Sequence, residues 1–216
     1  MTYVLHNRLG SGGFAVEAVL ELGQLDYRMA LIESTPSTPL PESFRTVNSW
    51  GQVPVLDLPK GGKLTESAAI LIYLAQKHKS VRDGAHLAIG DQAAFLRWTV
   101  FLGTNVYEGT LRRSYPARYH TSQDRAFDEN VAEAALNRNH AAFQVLETVL
   151  AQDGFLTGER LSSADVFLAM FYAWHRRKPD LPECTRVTST VARHPVVAPI
   201  WRRNFSHRLD EDWTQA

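Results

Sequence analysis

The chain has 216 residues, 44% of them hydrophobic and 21% charged, which suits one large domain or two small ones around a packed core. Lys plus Arg and Asp plus Glu both number 23, so the net charge is zero, which argues against a nucleic-acid or anionic-membrane footprint. One cysteine, Cys184, excludes an intrachain disulfide framework and fits a cytoplasmic setting.

In chain order, TYVLHN (2–7) is rich in β formers and reads as a strand. FAVEAVLELG (14–23) has helical spacing, with Gly23 as its C-cap, and DYRMALIE (26–33) alternates like a second strand. Two strands joined by a helix form a parallel βαβ unit. The stretch 34–51 carries Pro36, Pro39 and Pro41 and reads mostly as loop. VPVLDL (53–58) and KLTES (63–67) flank Pro59-Lys60-Gly61-Gly62 as a hairpin, and SAAILIYLAQKH (67–78) returns to helix. Strand signals then cease. The stretch 79–90 reads as a linker. A long helix is expected over 91–115, with Phe95, Trp98, Leu102 and Val106 on one face. A second runs over 126–152, a third and almost wholly apolar one over 162–177, and shorter helices fill 185–205. The expected fold class is α+β: residues 1–79 as the sheet domain, 80–90 as a linker, 91–216 as an all-helical domain.

Three short stretches bear on chemistry. In NRLGSGGFAVEAVL (7–20), Gly10, Ser11, Gly12 and Gly13 precede a helix. A phosphate loop would need Lys before Ser/Thr, or a third glycine where Ala15 stands, and has neither. Ser11 reads either as the cap of that helix or as a hydroxyl presented at its N-terminus. In GQVPVL (51–56), Pro54 heads an apolar strand and cannot donate to a ladder. Either it marks an edge strand, or a cis Val53–Pro54 bond turns the Val53 N–H and C=O toward a peptide-like ligand. In LTESAAI (64–70), Ser67 opens an apolar helix. It reads as a simple cap, or its helix end takes a carboxylate while Glu66 holds an ammonium, the two ends of an α-amino acid. The eight histidines form no H-E-x-x-H or H-x-x-E-H cluster, so no metal site is expected, and no C-x-x-C pair offers thiol exchange. The N-terminus lacks a signal-peptide pattern, and no run of 18 apolar residues suggests a membrane span.

The order β-α-β, β-β-α, with GQVPVL followed ten residues on by LTESAAILIYLA, resembles the thioredoxin-like domain of the cytosolic glutathione transferases, of bacterial serine or cysteine type. GFLTGERLSSADVFLAMFYAW (154–174) is similar to that family's helix-start box. Ser162 and Asp165 would satisfy each other's N–H groups, with Leu161 and Val166 as a hydrophobic staple. The resemblance spans nearly the whole chain. It implies a thioredoxin-like domain followed by a helical bundle, and glutathione as co-substrate. Val53, with Pro54, would take the cysteinyl backbone, Glu66 and Ser67 the γ-glutamyl end, and Gln52 the glycine carboxylate. Asn48 matches the family's Asn ahead of Gly-x-Val-Pro, while Ser49 and Trp50 depart from its pattern. Ser11 would donate to the thiolate. Lowering a thiol near 8.5 by ~2 units takes about 3 kcal/mol, the order of one hydroxyl donor plus a helix N-terminus. Asn7 lies near the position where other members carry a tyrosine. Asn105, beside Thr104, stands where some members carry an acidic residue reaching the partner subunit. Asn7, Tyr107, Arg112 and Tyr115, with Arg118 and Tyr119, would line the site of a small hydrophobic or aromatic electrophile; a packing face or dimer rim is the other reading of these residues. The family is mostly homodimeric. The alternatives are a non-catalytic binding or scaffold protein of the same fold, or a glutathione-dependent isomerase, dehalogenase or disulfide reductase.

Overall fold

The computed structural model describes residues 2–34 and 38–205. Met1, Pro36 of the expected loop and the stretch 206–216 of the expected helical domain lie outside the described residues.

Strand β1 (Tyr3–Asn7) buries Tyr3, Leu5 and Asn7 on one face, the period of two that a strand requires. It pairs in parallel with β2 (Tyr27–Leu31) through helix α1 (Gly13–Leu22), and antiparallel with β3 (Val55–Asp57), which pairs with β4 (Lys63–Thr65). The sheet order is β2-β1-β3-β4. Helix α2 (Ser67–Lys77) completes a thioredoxin-like unit, and the described chain beyond it is helical apart from isolated bridges. Helices α3 (Lys79–Arg82), α4 (Gln92–Phe101), α5 (Glu108–Ser114), α6 (Arg125–Asp153), α7 (Ser163–Trp174), α8 (Pro182–Arg193) and α9 (Ala198–Phe205) follow. Asp91 and Asp124 cap α4 and α6 by accepting the Ala94 and Ala126 N–H groups.

Helix α7 is the axis of the core: Ser163 through Ala173 are all buried. Its start is fixed by Asp165, whose carboxylate accepts the Ser162 N–H (2.8 Å), the Ser162 hydroxyl (2.6 Å) and the Leu156 N–H (2.8 Å). The capping box expected at Ser162 and Asp165 is therefore present. Phe14 of α1 meets Trp201 and Phe205 edge-on, at 5.4 and 4.9 Å between centroids, and so holds α9 against the sheet unit. The Gly10 N–H donates to Asn204 Oδ1 of α9 at 2.9 Å, which ties down the loop ahead of α1.

Two expectations need correction. The helix expected over 91–115 is interrupted by a π-helical turn, Leu102–Tyr107. Phe95, Trp98, Leu102 and Val106 are still all buried, so the apolar spacing did not betray the extra residue of the turn. The linker expected over 79–90 contains α3. Gly23 is the C-cap of α1, as expected; it is right-handed there, and the left-handed residue is Gln24 (φ 53°). Glycine is needed at 23 for space, because a Cβ there would lie 2.6 Å from Val81 Cγ2.

Candidate functional site

Helix α1 begins without a side-chain cap: its N-cap is Gly12, and only a long 3.4 Å contact runs from the Gly13 N–H to Ser11 Oγ. Helix α2 also begins without a side-chain cap, at Glu66. The two ends are joined by Ser67, whose hydroxyl donates to the Gly12 carbonyl at 3.1 Å. Ser67 is thus the first residue of α2 and a strut to α1, and its hydroxyl does not cap its own helix. Two positive helix ends meet here, neither with a side-chain cap bond at its N-cap residue, an arrangement that attracts anions. Glu66 holds a left-handed conformation (φ 63°), a strained choice for a residue with a side chain and one that clusters at ligand sites.

The segment ahead of β3 supplies the opposite wall. Asn48 donates through Nδ2 to the Gln52 carbonyl at 2.7 Å and accepts the Trp50 N–H at 3.1 Å. Gly51 has φ 69°, which bends the chain so that Gln52 and Val53 reach the cleft. The Val53–Pro54 peptide is cis. Among the described residues the Val53 N–H and C=O have no hydrogen-bond partner, and Val53 lines both cavities described next.

Two adjoining cavities occupy the junction. A narrow slot of about 20 Å³ is lined by Asn48, Gln52, Val53, Pro54, Glu66, Ser67 and Tyr107. A cleft of about 270 Å³ is bordered by Arg8, Ser11, Tyr107, Leu111, Tyr115 and Arg118, with Gln52 and Val53 at the shared edge. The Arg118 guanidinium stacks on Tyr115 at 4.1 Å. The slot offers main-chain groups, helix ends and a carboxylate, the partners of a zwitterionic peptide. The cleft offers aromatic, apolar and cationic walls.

Of the site residues expected from sequence, the structure brings together Ser11, Gln52, Val53, Pro54, Glu66, Ser67, Tyr107, Tyr115 and Arg118. It places three elsewhere: Asn7, Arg112 and Tyr119, whose hydroxyl donates to Glu108 at 3.4 Å. Asn7 is fully buried beneath the loop, where its Oδ1 accepts the Ser11 hydroxyl at 2.8 Å, and it does not border the cleft. Arg112 points outward, pairing with Glu108 at 3.6 Å and lying over Tyr119 at 5.4 Å. Asn105 donates to Thr104 Oγ1, which donates to the Val100 carbonyl. Arg8 and Leu111 border the cleft without having been anticipated; Arg8, three residues from Ser11, had proximity to the loop as its signal.

The glycine pair of the loop has a steric explanation. A Cβ on Gly13 would lie 2.0 Å from Asn7 Oδ1, and one on Gly12 would lie 2.7 Å from Tyr107 Oη and 2.9 Å from Ser67 Oγ. The phenol of Tyr107 is pushed up to about 12, first by burial and then by the nearby Glu66 carboxylate, so it stays protonated. Burial also raises the Cys184 thiol well above its ordinary range, far from this site. No group of three or more potential metal ligands occurs among the described residues.

Comparison with known proteins agrees with this geometry. The family model for the glutathione S-transferase N-terminal domain matches residues 14–77, and that for the glutathione S-transferase C-terminal domain matches residues 109–195. The chain is 26% identical over 197 residues to the glutathione S-transferase psoE of Aspergillus fumigatus, covering 86% of this chain and 77% of that one. It is 24% identical to the uncharacterized GST-like protein YncG of Escherichia coli, covering 90% and 95%. A glutathione transferase homolog from Sulfitobacter, solved with bound glutathione, superposes with a TM-score of 0.80 at 18% identity, covering 94% and 99%. The sheet unit and the helical unit each match their counterpart in one family, in the same order, and the chain belongs to the glutathione S-transferases.

Proposed function

We propose that the chain is a glutathione transferase that binds glutathione and activates its thiolate for attack on an electrophilic small molecule. The observation that carries this reading is the slot: the unpartnered Val53 N–H and C=O face a site where two uncapped helix N-termini converge beside Glu66. In this reading the cysteinyl unit adds to Val53 like a short strand, with Pro54 fixing the turn behind it. Ser67 and the α2 N-terminus take the γ-glutamyl carboxylate, Glu66 its ammonium, and Gln52 the glycine end. Residues 1–79 supply these groups, 80–90 the connection, and 91–216 the electrophile wall, in which Tyr107 and Tyr115 stand and from which Asn7 and Arg112 are withdrawn. The rate gain comes from a stabilised thiolate and a bound electrophile held beside it. The unpaired Cys184 fits a cytoplasmic location, and no described helix is long and apolar enough to cross a membrane.

Ser11 borders the cleft at the open end of α1, where a thiolate would lie, and its hydroxyl turns from Asn7 to the sulfur when glutathione binds. Ser11→Ala is expected to lower conjugation turnover ten-fold or more while leaving glutathione affinity, measured by calorimetry, nearly intact. Unchanged turnover would remove Ser11 from the mechanism. One observation favours a second reading, a non-catalytic glutathione-transferase-like binding or scaffold protein: the hydroxyl proton of Ser11 is directed at Asn7. A chain that shows no calorimetric signal with glutathione would decide for the scaffold.

We also propose a homodimer, with the sheet unit of one subunit against the helices of the other. Trp50, 71% exposed on the loop before β3, and Leu96 and Val100 on α4 are large apolar side chains that such an interface would cover. Sedimentation equilibrium should return a dimer at micromolar concentration, weakened in Trp50→Ala. A stable monomer would contradict the proposal.

A further inference from the structure

We infer that Tyr107, on the helical unit, is a second hydroxyl donor to the bound thiolate, standing across the sulfur from Ser11. The inference rests on the glutathione reading above and adds a catalytic residue to it.

Four observations carry it. First, the Tyr107 hydroxyl is aimed at the start of α1, 2.7 Å from where a Gly12 Cβ would stand, and the absence of that Cβ keeps the space open. Second, Tyr107 is the one residue of the helical unit that borders both the slot and the cleft; Val53 and Gln52 are the others that border both. A cysteinyl backbone seated on Val53 places its sulfur, one carbon away from that backbone, at the shared edge. Third, the Tyr107 Oη makes no hydrogen bond with any described residue. The residue is half-buried and borders both cavities, so this unpartnered hydroxyl is free to donate to a ligand seated there. Fourth, the residue ends the π-helical turn Leu102–Tyr107, a local rearrangement frequent at functional sites. Gly103 in that turn lies against Ala68 of α2, which brings the turn close to the helix end where Ser67 stands.

The ring is held by Phe171 and Trp174 of α7, at 5.1 and 6.2 Å, so the hydroxyl is delivered from a rigid base. The charged and titratable groups that act on it are Glu66, Arg8, Tyr115 and Glu108, and the phenol stays protonated among them. No covalent step is required of Tyr107. The thiol releases its proton to water, and the phenol O–H donates to the sulfur anion, strengthening as charge develops there.

The test is a pH titration of glutathione-saturated protein followed by thiolate ultraviolet absorbance, for the wild type and Tyr107→Phe, which keeps the ring contacts. The expected result is a bound-thiol pKa about one unit higher in the variant, with turnover below that pKa down about ten-fold and recovered as pH rises. Binding of S-methylglutathione, which has no ionisable thiol, should be equal in the two proteins. An unchanged thiol pKa overturns the inference, and if turnover still falls, Tyr107 acts on the electrophile. Loss of S-methylglutathione binding in the variant also overturns it, in favour of a structural role. Absence of glutathione binding by the wild type overturns the underlying reading, and this inference with it.

Discussion

Asp165→Ala is expected to destabilise the chain by about 3–5 kcal/mol. The carboxylate accepts three donors in a fully buried setting: the Leu156 N–H, the Ser162 N–H and the Ser162 hydroxyl. Each buried donor left unpaired costs about 1–3 kcal/mol. The affected helix, α7, is the one against which α1, α4 and α8 pack, so the loss is shared by both units. For a chain of this size the midpoint of thermal unfolding should fall by roughly 10 °C. Asp165→Asn keeps one acceptor oxygen and should lose less. A denaturant titration showing less than about 1 kcal/mol for the alanine variant would mean that the box is a local decoration of the helix.

Gly13→Ala should damage stability and chemistry together. The added methyl would lie 2.0 Å from Asn7 Oδ1 and 2.2 Å from Asn7 Cγ. Asn7 cannot step aside easily: it is fully buried on β1 and holds the Ser11 hydroxyl. Overpacking of this kind costs about 1–3 kcal/mol, and any relief moves Asn7 and Ser11 with it. The expected outcome is a lowered unfolding midpoint and, on the proposed mechanism, at least a ten-fold loss of conjugation turnover. Gly12→Ala makes a useful contrast. Its methyl would lie 2.7 Å from Tyr107 Oη and 2.9 Å from Ser67 Oγ, a looser clash than the one at Gly13 and one that falls on the two hydroxyls at the site. It should cost less stability and fall mainly on ligand binding. Equal stability of Gly13→Ala and wild type would remove the packing argument for the loop.

These two glycines show where sequence reading stops. The element order, the capping box at Ser162 and the burial of α7 were legible because each rests on local signals: β formers, helical spacing, and a capping pair three residues apart. The sheet unit was recognisable from its order and from GQVPVL and LTES. The reason for Gly12 and Gly13 was not legible, because it lies in contacts with residues brought in by folding. Ser67 is 55 positions away from Gly12, and Tyr107 comes from the helical unit. The same holds for the π-helical turn, whose apolar positions keep helical spacing while the backbone gains a residue. The resemblance puts Asn7 at the electrophile wall because it lies near the position where other members carry a tyrosine. Strand alternation sends its side chain inward with those of Tyr3 and Leu5, to support Ser11 from below. Arg112 was grouped with Tyr115 by composition, and its position on α5 turns it instead toward Glu108 and Tyr119.

The opening loop Gly10-Ser11-Gly12-Gly13 thus serves three ends. Gly10 anchors it to Asn204 and takes the left-handed turn (φ 69°), Ser11 stands over Asn7, and the two following glycines clear the space at the start of α1. What fills that space is the central question. A crystal structure of the protein soaked with glutathione answers it most directly. The account predicts the cysteinyl backbone on the Val53 N–H and C=O, the γ-glutamyl carboxylate at the α2 N-terminus, and the sulfur within about 3.5 Å of both Ser11 Oγ and Tyr107 Oη. Glutathione bound with its sulfur away from both hydroxyls, or a site that stays empty at saturating glutathione, would contradict it.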